Sequence, residues 1–220
     1  MISIGIPSKG RPDLLSECIR SIQGSTYHQW ESHICITCWG DLDLYVKEES
    51  YETTNIFVHL HPDLTVVECQ NWVAARTKYA NFLPISDDVK FEPKTLEIAE
   101  RQLRFKFKDT DGVVGLNQYD VPGGTDTAFL LIGKKFLSRF PNYQPFCPDY
   151  KHFAADTELG NFSKKLGLYS FCQEARVEHL HPCTGKRGID DTHTQSRRFL
   201  QEDLALFKKR KEQNLVWGRP

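Results

Sequence analysis

The sequence predicts an α/β domain with a mostly parallel central sheet flanked by helices. Two observations carry this expectation. Over the first two thirds of the chain, short apolar runs alternate with amphipathic helical patterns, the alternation that parallel strands joined by crossover helices require. At 220 residues, 40% hydrophobic and 26% charged, the chain has the length and composition for one sizeable core and is short for two enzymatic domains. No internal repeat, low-complexity tract or linker divides it. Residues 1–220 are therefore expected to form one domain, with 195–220 supplying a charged helix and tail.

The elements follow in order. Ile2 to Ile6 reads as the first strand. Pro12 opens a helix at a favourable first-turn position, its stripe being Leu14, Leu15, Cys18, Ile19 and Ile22, and Gly24 is its stop. His33 to Trp39 and Asn55 to Leu60 read as strands two and three. Glu68 to Ala80 reads as a helix with Trp72, Ala75, Arg76 and Tyr79 on one side. Asn81 to Ile85 is a fourth strand, ending at Ser86-Asp87-Asp88, and Pro93 starts a helix in which Leu96, Ala99 and Leu103 line up. Gly112 to Leu116 and Thr127 to Ile132 are further strands, with a turn at Gly123-Gly124 and a loop from Tyr143 to Tyr150. A helix from Thr157 to Leu166 and a strand from Ala175 to Leu180 come next. A charged helix from Gln195 to Gln213 closes the pattern, with Phe199, Leu200, Leu204 and Phe207 inward.

Net charge is −1, which does not favour a dedicated nucleic-acid binder. No run of about 18 apolar residues marks a membrane span, and the N-terminus lacks signal-peptide character. A cytoplasmic protein is expected. The seven cysteines, Cys18, Cys35, Cys38, Cys69, Cys147, Cys172 and Cys183, are irregularly spaced. Cys35 and Cys38 lie inside an apolar run, where residues three apart point to opposite faces of a strand. Ordinary buried thiols are expected.

Four places carry chemistry. Asp87-Asp88 ends an apolar strand, where an open α/β sheet binds ligands and where carboxylates can hold Mg²⁺ or Mn²⁺ against a diphosphate; a solvated turn is the plain alternative. Pro7-Ser8-Lys9-Gly10-Arg11 offers loop amides, a hydroxyl and two cations to a nucleotide, but has the glycine spacing of neither a P-loop nor GxGxxG. Asp156-Thr157-Glu158-Leu159 opens a helix, and Asp156 suits either a general base or a helix cap. Glu178-His179-Leu180-His181-Pro182 puts two histidines on one strand face, suited to a metal or simply solvated, with Lys186 and Asp190-Asp191-Thr192-His193 following.

The order of these elements resembles the family-2-like glycosyltransferases of the GT-A (Rossmann-like) fold. The resemblance runs over residues 2–182. It rests on the strand with Pro7-Ser8-Lys9-Gly10-Arg11-Pro12, on Gln70-Asn71-Trp72-Val73-Ala74-Ala75-Arg76, on Phe82-Leu83-Pro84-Ile85-Ser86-Asp87-Asp88-Val89, and on Asp156-Thr157-Glu158-Leu159 with Gly167-Leu168-Tyr169. It implies a metal-dependent glycosyltransferase taking a nucleoside diphosphate sugar, a UDP-sugar favoured. Donor binding would map to Pro7, Ser8, Arg11, Asp41, Arg76 and Asp87, with Lys186 a further source of positive charge. The Mn²⁺ or Mg²⁺ ligands would be Asp88 and His181, chosen over His179, and the catalytic base Asp156. Two positions depart from the pattern: Ser86 stands where many relatives carry the first acid of the DXD motif, and Ala155 where they often carry Glu. The stereochemical course stays open.

The resemblance leaves the acceptor open among a saccharide, a protein and a hydroxymethylated DNA base. Aromatics between Phe129 and Phe153 suit stacking or packing. Arg197-Arg198 and Lys208-Lys209-Arg210-Lys211 suit phosphate contact or a solvated helix face. The compact size resembles stand-alone phage glycosyltransferases, some of which modify hydroxymethylated DNA bases; such an enzyme would work in the host cytoplasm. The competing readings are a nucleotidyltransferase acting on sugar phosphates and a non-catalytic nucleotide-sugar-binding module.

Overall fold

The computed structural model describes residues 1–37, 55–78, 80–119 and 126–219, the side chain of Cys183 excepted. Its strands are β1 (Ile2–Ser8), β2 (Trp30–Ile36), β3 (Ile56–Leu60), β4 (Asn81–Pro84), β5 (Val89–Phe91), β6 (Val113–Gln118), β7 (Leu130–Ile132) and β8 (Tyr169–His179). The helices are α1 (Pro12–Gln23), α2 (Val66–Arg76), α3 (Thr95–Lys106), α4 (Lys134–Leu137), α5 (Ala155–Lys165), α6 (Asp191–Ser196) and α7 (Leu200–Glu212). The strands form one sheet in the order β3-β2-β1-β4-β7-β6-β8-β5. Strands β1 to β4 are mutually parallel, as are β6 and β8, while β7 and β5 run against their neighbours. The expected α/β architecture, a mostly parallel sheet between helices, is the one observed.

The two faces of the sheet carry separate cores. Ile2, Ile4, Ile6, Ile34 and Leu116 bury against Leu15, Ile19 and Ile22 of α1 and Leu96 and Leu103 of α3. Cys35, Phe82, Val113 and Ile132 bury against Val73 of α2, Phe136 of α4 and Leu159 and Phe162 of α5. Strands β1 and β2 are buried almost throughout, as expected where helices cover both faces. The order β3-β2-β1-β4 reverses direction between β1 and β4, so a crevice opens beyond the carboxyl ends of those two strands.

Several elements depart from the sequence reading. Strand β2 starts at Trp30 rather than His33, because Ile2 pairs with Trp30 and the polar Glu31 is absorbed by accepting a 2.5 Å hydrogen bond from Ser3 Oγ. Its predicted end at Trp39 lies outside the described residues. Helix α2 starts earlier than predicted because Thr65 and Glu68 form a capping box. It ends at Arg76, where Thr77 Oγ1 bonds back to the Val73 carbonyl. Its buried side is Val67, Gln70, Asn71, Val73 and Ala74; Arg76 is exposed, so the predicted Trp72–Arg76 stripe is not the inward one. Strand β5, three residues long, and helix α4, four long, have too little periodicity to be read beforehand.

Strand β8 is eleven residues, longer than the predicted Ala175–Leu180, and apart from Phe171 its exposed positions are polar. The last predicted helix is broken into α6, a 3₁₀ turn over Arg197–Phe199, and α7. Leu204, expected inward, is 46% exposed, and the buried residue of that face is Asp203, 1% exposed. The reason is a specific anchor: Asp203 accepts the backbone N–H groups of Lys151, His152 and Phe153 at 3.0, 2.8 and 2.7 Å. The described free cysteines, Cys18, Cys35, Cys69, Cys147 and Cys172, are buried, matching the plain reading. Among the described residues no helix is long and apolar enough to cross a membrane.

Candidate active site

A cleft of about 580 Å³ occupies the crevice beyond β1 and β4, and its walls include Pro7, Ser8, Arg11, Asp87, Asp88, Asp156, His179 and His181. Seven of the nine site residues read from the sequence therefore meet in one place. Asp41 lies outside the described residues. Arg76 goes elsewhere: its guanidinium lies 4.1 Å from the ring centroid of Trp72, and both residues line a separate surface depression. Lys186 pairs with Glu178 and is not among the cleft-lining residues.

The loop after β1 and the turn after β4 are joined by buried polar contacts. Ser8 Oγ donates to Asp87 Oδ2 at 2.6 Å. Arg11 Nη1 lies 3.1 Å from Asp87 Oδ1 and 3.6 Å from Asp88 Oδ2. Asp88 Oδ1 accepts Ser86 Oγ at 2.5 Å and lies 3.1 Å from His179 Nε2, whose Nδ1 is 3.1 Å from Gln118 Nε2. Ser86, which departs from the resemblance, thus orients Asp88 rather than leaving a gap. Gln70 supports the same turn from below, its Nε2 donating to the carbonyls of Gly5 and Ile85 at 3.1 and 2.9 Å. A Cβ on Gly5 would stand 2.4 Å from Gln70 Oε1, so a larger residue where α2 crosses β1 would displace the Gln70 amide.

Electrostatics separate the acids. Burial, opposed chiefly by Arg11, pushes Asp87 above the ordinary carboxylate range. Burial also acts to raise Asp88, but the His179 hydrogen bond and charge, Ser86 and Arg11 outweigh it and hold Asp88 below the ordinary carboxylate range. Burial, then the neighbouring His179, brings His181 down to about 4, leaving a neutral imidazole at neutral pH. Asp156 sits at the start of α5, after Ala154 in the left-handed region. Its Oδ1 accepts the Thr157 N–H at 2.7 Å, yet burial still pushes it up to about 6. A carboxylate so poised is matched to proton abstraction near neutral pH. Glu158, two residues on, is structural: it accepts Tyr150 OH at 2.8 Å and Arg210 Nε at 2.8 Å.

The donor chemistry here fits a divalent cation. Asp87 and Asp88 present their carboxylates side by side at the strand end, and carboxylate oxygens with the His181 imidazole on the same cleft suit Mn²⁺ or Mg²⁺. No group of three or more His, Cys, Asp or Glu among the described residues is preformed as a cage. The expected pair, Asp88 and His181, lines the cleft, while the imidazole in contact with Asp88 is that of His179.

Other cleft residues were given no role by the sequence reading, although Phe153 and the Asp190–His193 run were noted in it. His152 and Phe153 reach the wall because Asp203 fixes their backbone, and His193 because it and Asp190 fold back onto Arg11. Gln70 carried the nearest thing to a signal, a polar residue that shares the buried side of α2 with Asn71. The aromatics between Phe129 and Phe153 divide: Phe140 and Tyr150 are core, while Phe129, Phe146 and Phe153 also line the cleft. Of the C-terminal cations, Arg197 lines the cleft, Arg210 is tied to Glu158, and Arg198 stacks on Phe199 at 4.5 Å.

Solved structures share this architecture. TarS 1–349 of S. aureus in complex with UDP-GlcNAc matches with a TM-score of 0.62 at 11% identity, over 86% of this chain and 61% of that one. The mannosyltransferase PcManGT from Pyrobaculum calidifontis, in complex with GDP-Man and Mn²⁺, gives 0.62 at 13% identity, over 81% and 56%. TarS 1–349 with UDP gives 0.57 at 13% identity, over 80% and 59%. The chain has the GT-A fold, and it spans about three fifths of the length of these proteins. No protein-family model and no curated protein sequence matches it.

Proposed function

We propose that this chain is a glycosyltransferase that moves a sugar from a nucleoside diphosphate sugar, a UDP-sugar favoured, to an acceptor hydroxyl. The observation that carries the proposal is the convergence of Ser8, Arg11, Asp87, Asp88, His181 and Asp156 on one cleft at the switch point of a GT-A sheet. Two of the similar structures hold a UDP-based molecule and one holds GDP-Man with Mn²⁺, which supports this donor class and a divalent cation here.

In this reading the nucleotide lies against Pro7 and Ser8, with its diphosphate toward Arg11 and the acidic pair. Asp88 and His181 would hold the Mn²⁺ or Mg²⁺, which when bound stabilises charge on the leaving diphosphate. Asp87, held by Ser8 and Arg11, faces the donor from the same turn. Asp156 takes the proton of the acceptor hydroxyl as its oxygen bonds to the anomeric carbon. The bond between that carbon and the diphosphate breaks, its electron pair leaving with the phosphate oxygen. Phe153, Phe129, Leu200 and Leu204 give the cleft apolar walls against which an acceptor ring can pack.

The test is thermal stability of the purified protein titrated with UDP, GDP and their sugars, with and without Mn²⁺. Cation-dependent stabilisation by one nucleotide that is lost in Asp88→Ala supports the donor site; no shift under any condition removes it. A product screen over saccharide, protein and hydroxymethylated-DNA acceptors then assigns the acceptor. Release of pyrophosphate instead of a nucleoside diphosphate would make the chain a nucleotidyltransferase.

A further inference from the structure

The segment after β8 is folded to hold the loop after β1. Asp190 meets Arg11 with two prongs, Nε to Oδ2 at 2.9 Å and Nη2 to Oδ1 at 3.0 Å. Nη2 also lies 2.9 Å from His193 Nδ1. One residue away, Thr192 Oγ1 donates to the Lys9 carbonyl at 2.8 Å, beside Gly10 with its φ of +64°. Asp190 is itself fixed, because its Oδ1 accepts the His193 N–H at 2.9 Å in the cap of α6. With the Nε–Nη2 edge of the planar guanidinium held in this way, Nη1 is aimed at Asp87 and Asp88.

We propose that Asp190, His193 and Thr192 are positioning residues of the donor site: together they hold the Arg11 guanidinium at the acidic pair and fix the Lys9–Gly10 turn. The inference rests on the donor reading above. An arginine free to sample its rotamers would lose that freedom each time the donor bound. The clamp removes this loss before binding, so the diphosphate meets a cation already in place.

The prediction is read as the dissociation constant of UDP in the presence of Mn²⁺, measured by calorimetry on the full chain. Asp190→Asn removes the charge of the two-pronged pair and should weaken UDP binding roughly tenfold, the scale of one charge-assisted hydrogen bond. Arg11→Ala should weaken it at least as much. Adding Asp190→Asn to Arg11→Ala should then change it by less than about twofold, because Asp190 acts through Arg11. Thr192→Val, which keeps the shape of the side chain and loses one hydroxyl, should weaken binding several-fold while lowering the melting temperature by no more than about 2–4 °C, and it serves if Asp190→Asn fails to fold.

A purely structural role would lower the melting temperature with no change in UDP affinity, or would add its full effect to that of Arg11→Ala; either result overturns the proposal. Wild-type affinity in both Asp190→Asn and Thr192→Val overturns it alone. Failure of the wild-type protein to bind UDP or any other nucleotide overturns the donor reading and this inference together.

Discussion

Asp156→Asn should make the folded protein more stable at neutral pH while abolishing transfer. Burial moves this carboxyl from 3.8 to about 6. Above pH 6 the group is ionised in both folded and unfolded chains, and folding then works against a desolvated charge. A shift of about two units corresponds to about 3 kcal/mol at pH 8. The sign follows from proton uptake. As pH falls through 6 the folded state binds a proton that the unfolded state does not take up until near 3.8, so the wild type gains stability and most of the penalty is gone by pH 4.

Asparagine keeps an oxygen for the Thr157 N–H and carries no charge at any of these values. The stabilisation of the variant over wild type should therefore fall from about 3 kcal/mol at pH 8 toward zero at pH 4. Urea denaturation at the two pH values measures it directly. A variant that is destabilised at pH 8, or whose advantage is the same at both values, refutes the argument that Asp156 is held as a strained base.

Asp203→Ala orphans three backbone N–H groups at the cleft wall. At roughly 1 kcal/mol each it should cost about 3 kcal/mol, visible as a lowered urea midpoint. Gly5→Ala forces a Cβ against Gln70 and the Phe82 ring, an overpacking cost of about 2 kcal/mol, read by the same titration. Thr65→Ala removes the capping box of α2 and should cost about 1 kcal/mol without altering nucleotide affinity, measured by thermal melting beside the UDP titration.

Much of the fold was legible because it is written in local periodicity. The stripe of α1, the buried run Ile2–Ile6 and the line Leu96, Ala99 and Leu103 of α3 each occupy the predicted place. The order of strand, polar loop, helix and acidic turn also identified most of the cleft, since ligands of an open α/β sheet gather where strands end. Legibility failed where the stabilising partner is distant in sequence. The last helix looked like an apolar stripe ending in a basic face, yet it docks through Asp203 and Arg210, whose partners lie some fifty residues earlier. Arg76 sat in a motif-like run, but the rotation of α2 carried it to Trp72 and away from the cleft.

The sequence by itself determined the class of fold and the residue types at the strand ends, because apolar spacing and turn chemistry act between near neighbours. Only the tertiary structure decided which side chains share the cleft, that Asp87 and Asp88 differ in acidity, and that Asp190, 179 residues beyond Arg11, holds it. Those properties come from burial and from pairings across the fold, and neither exists until the sheet has brought distant segments together.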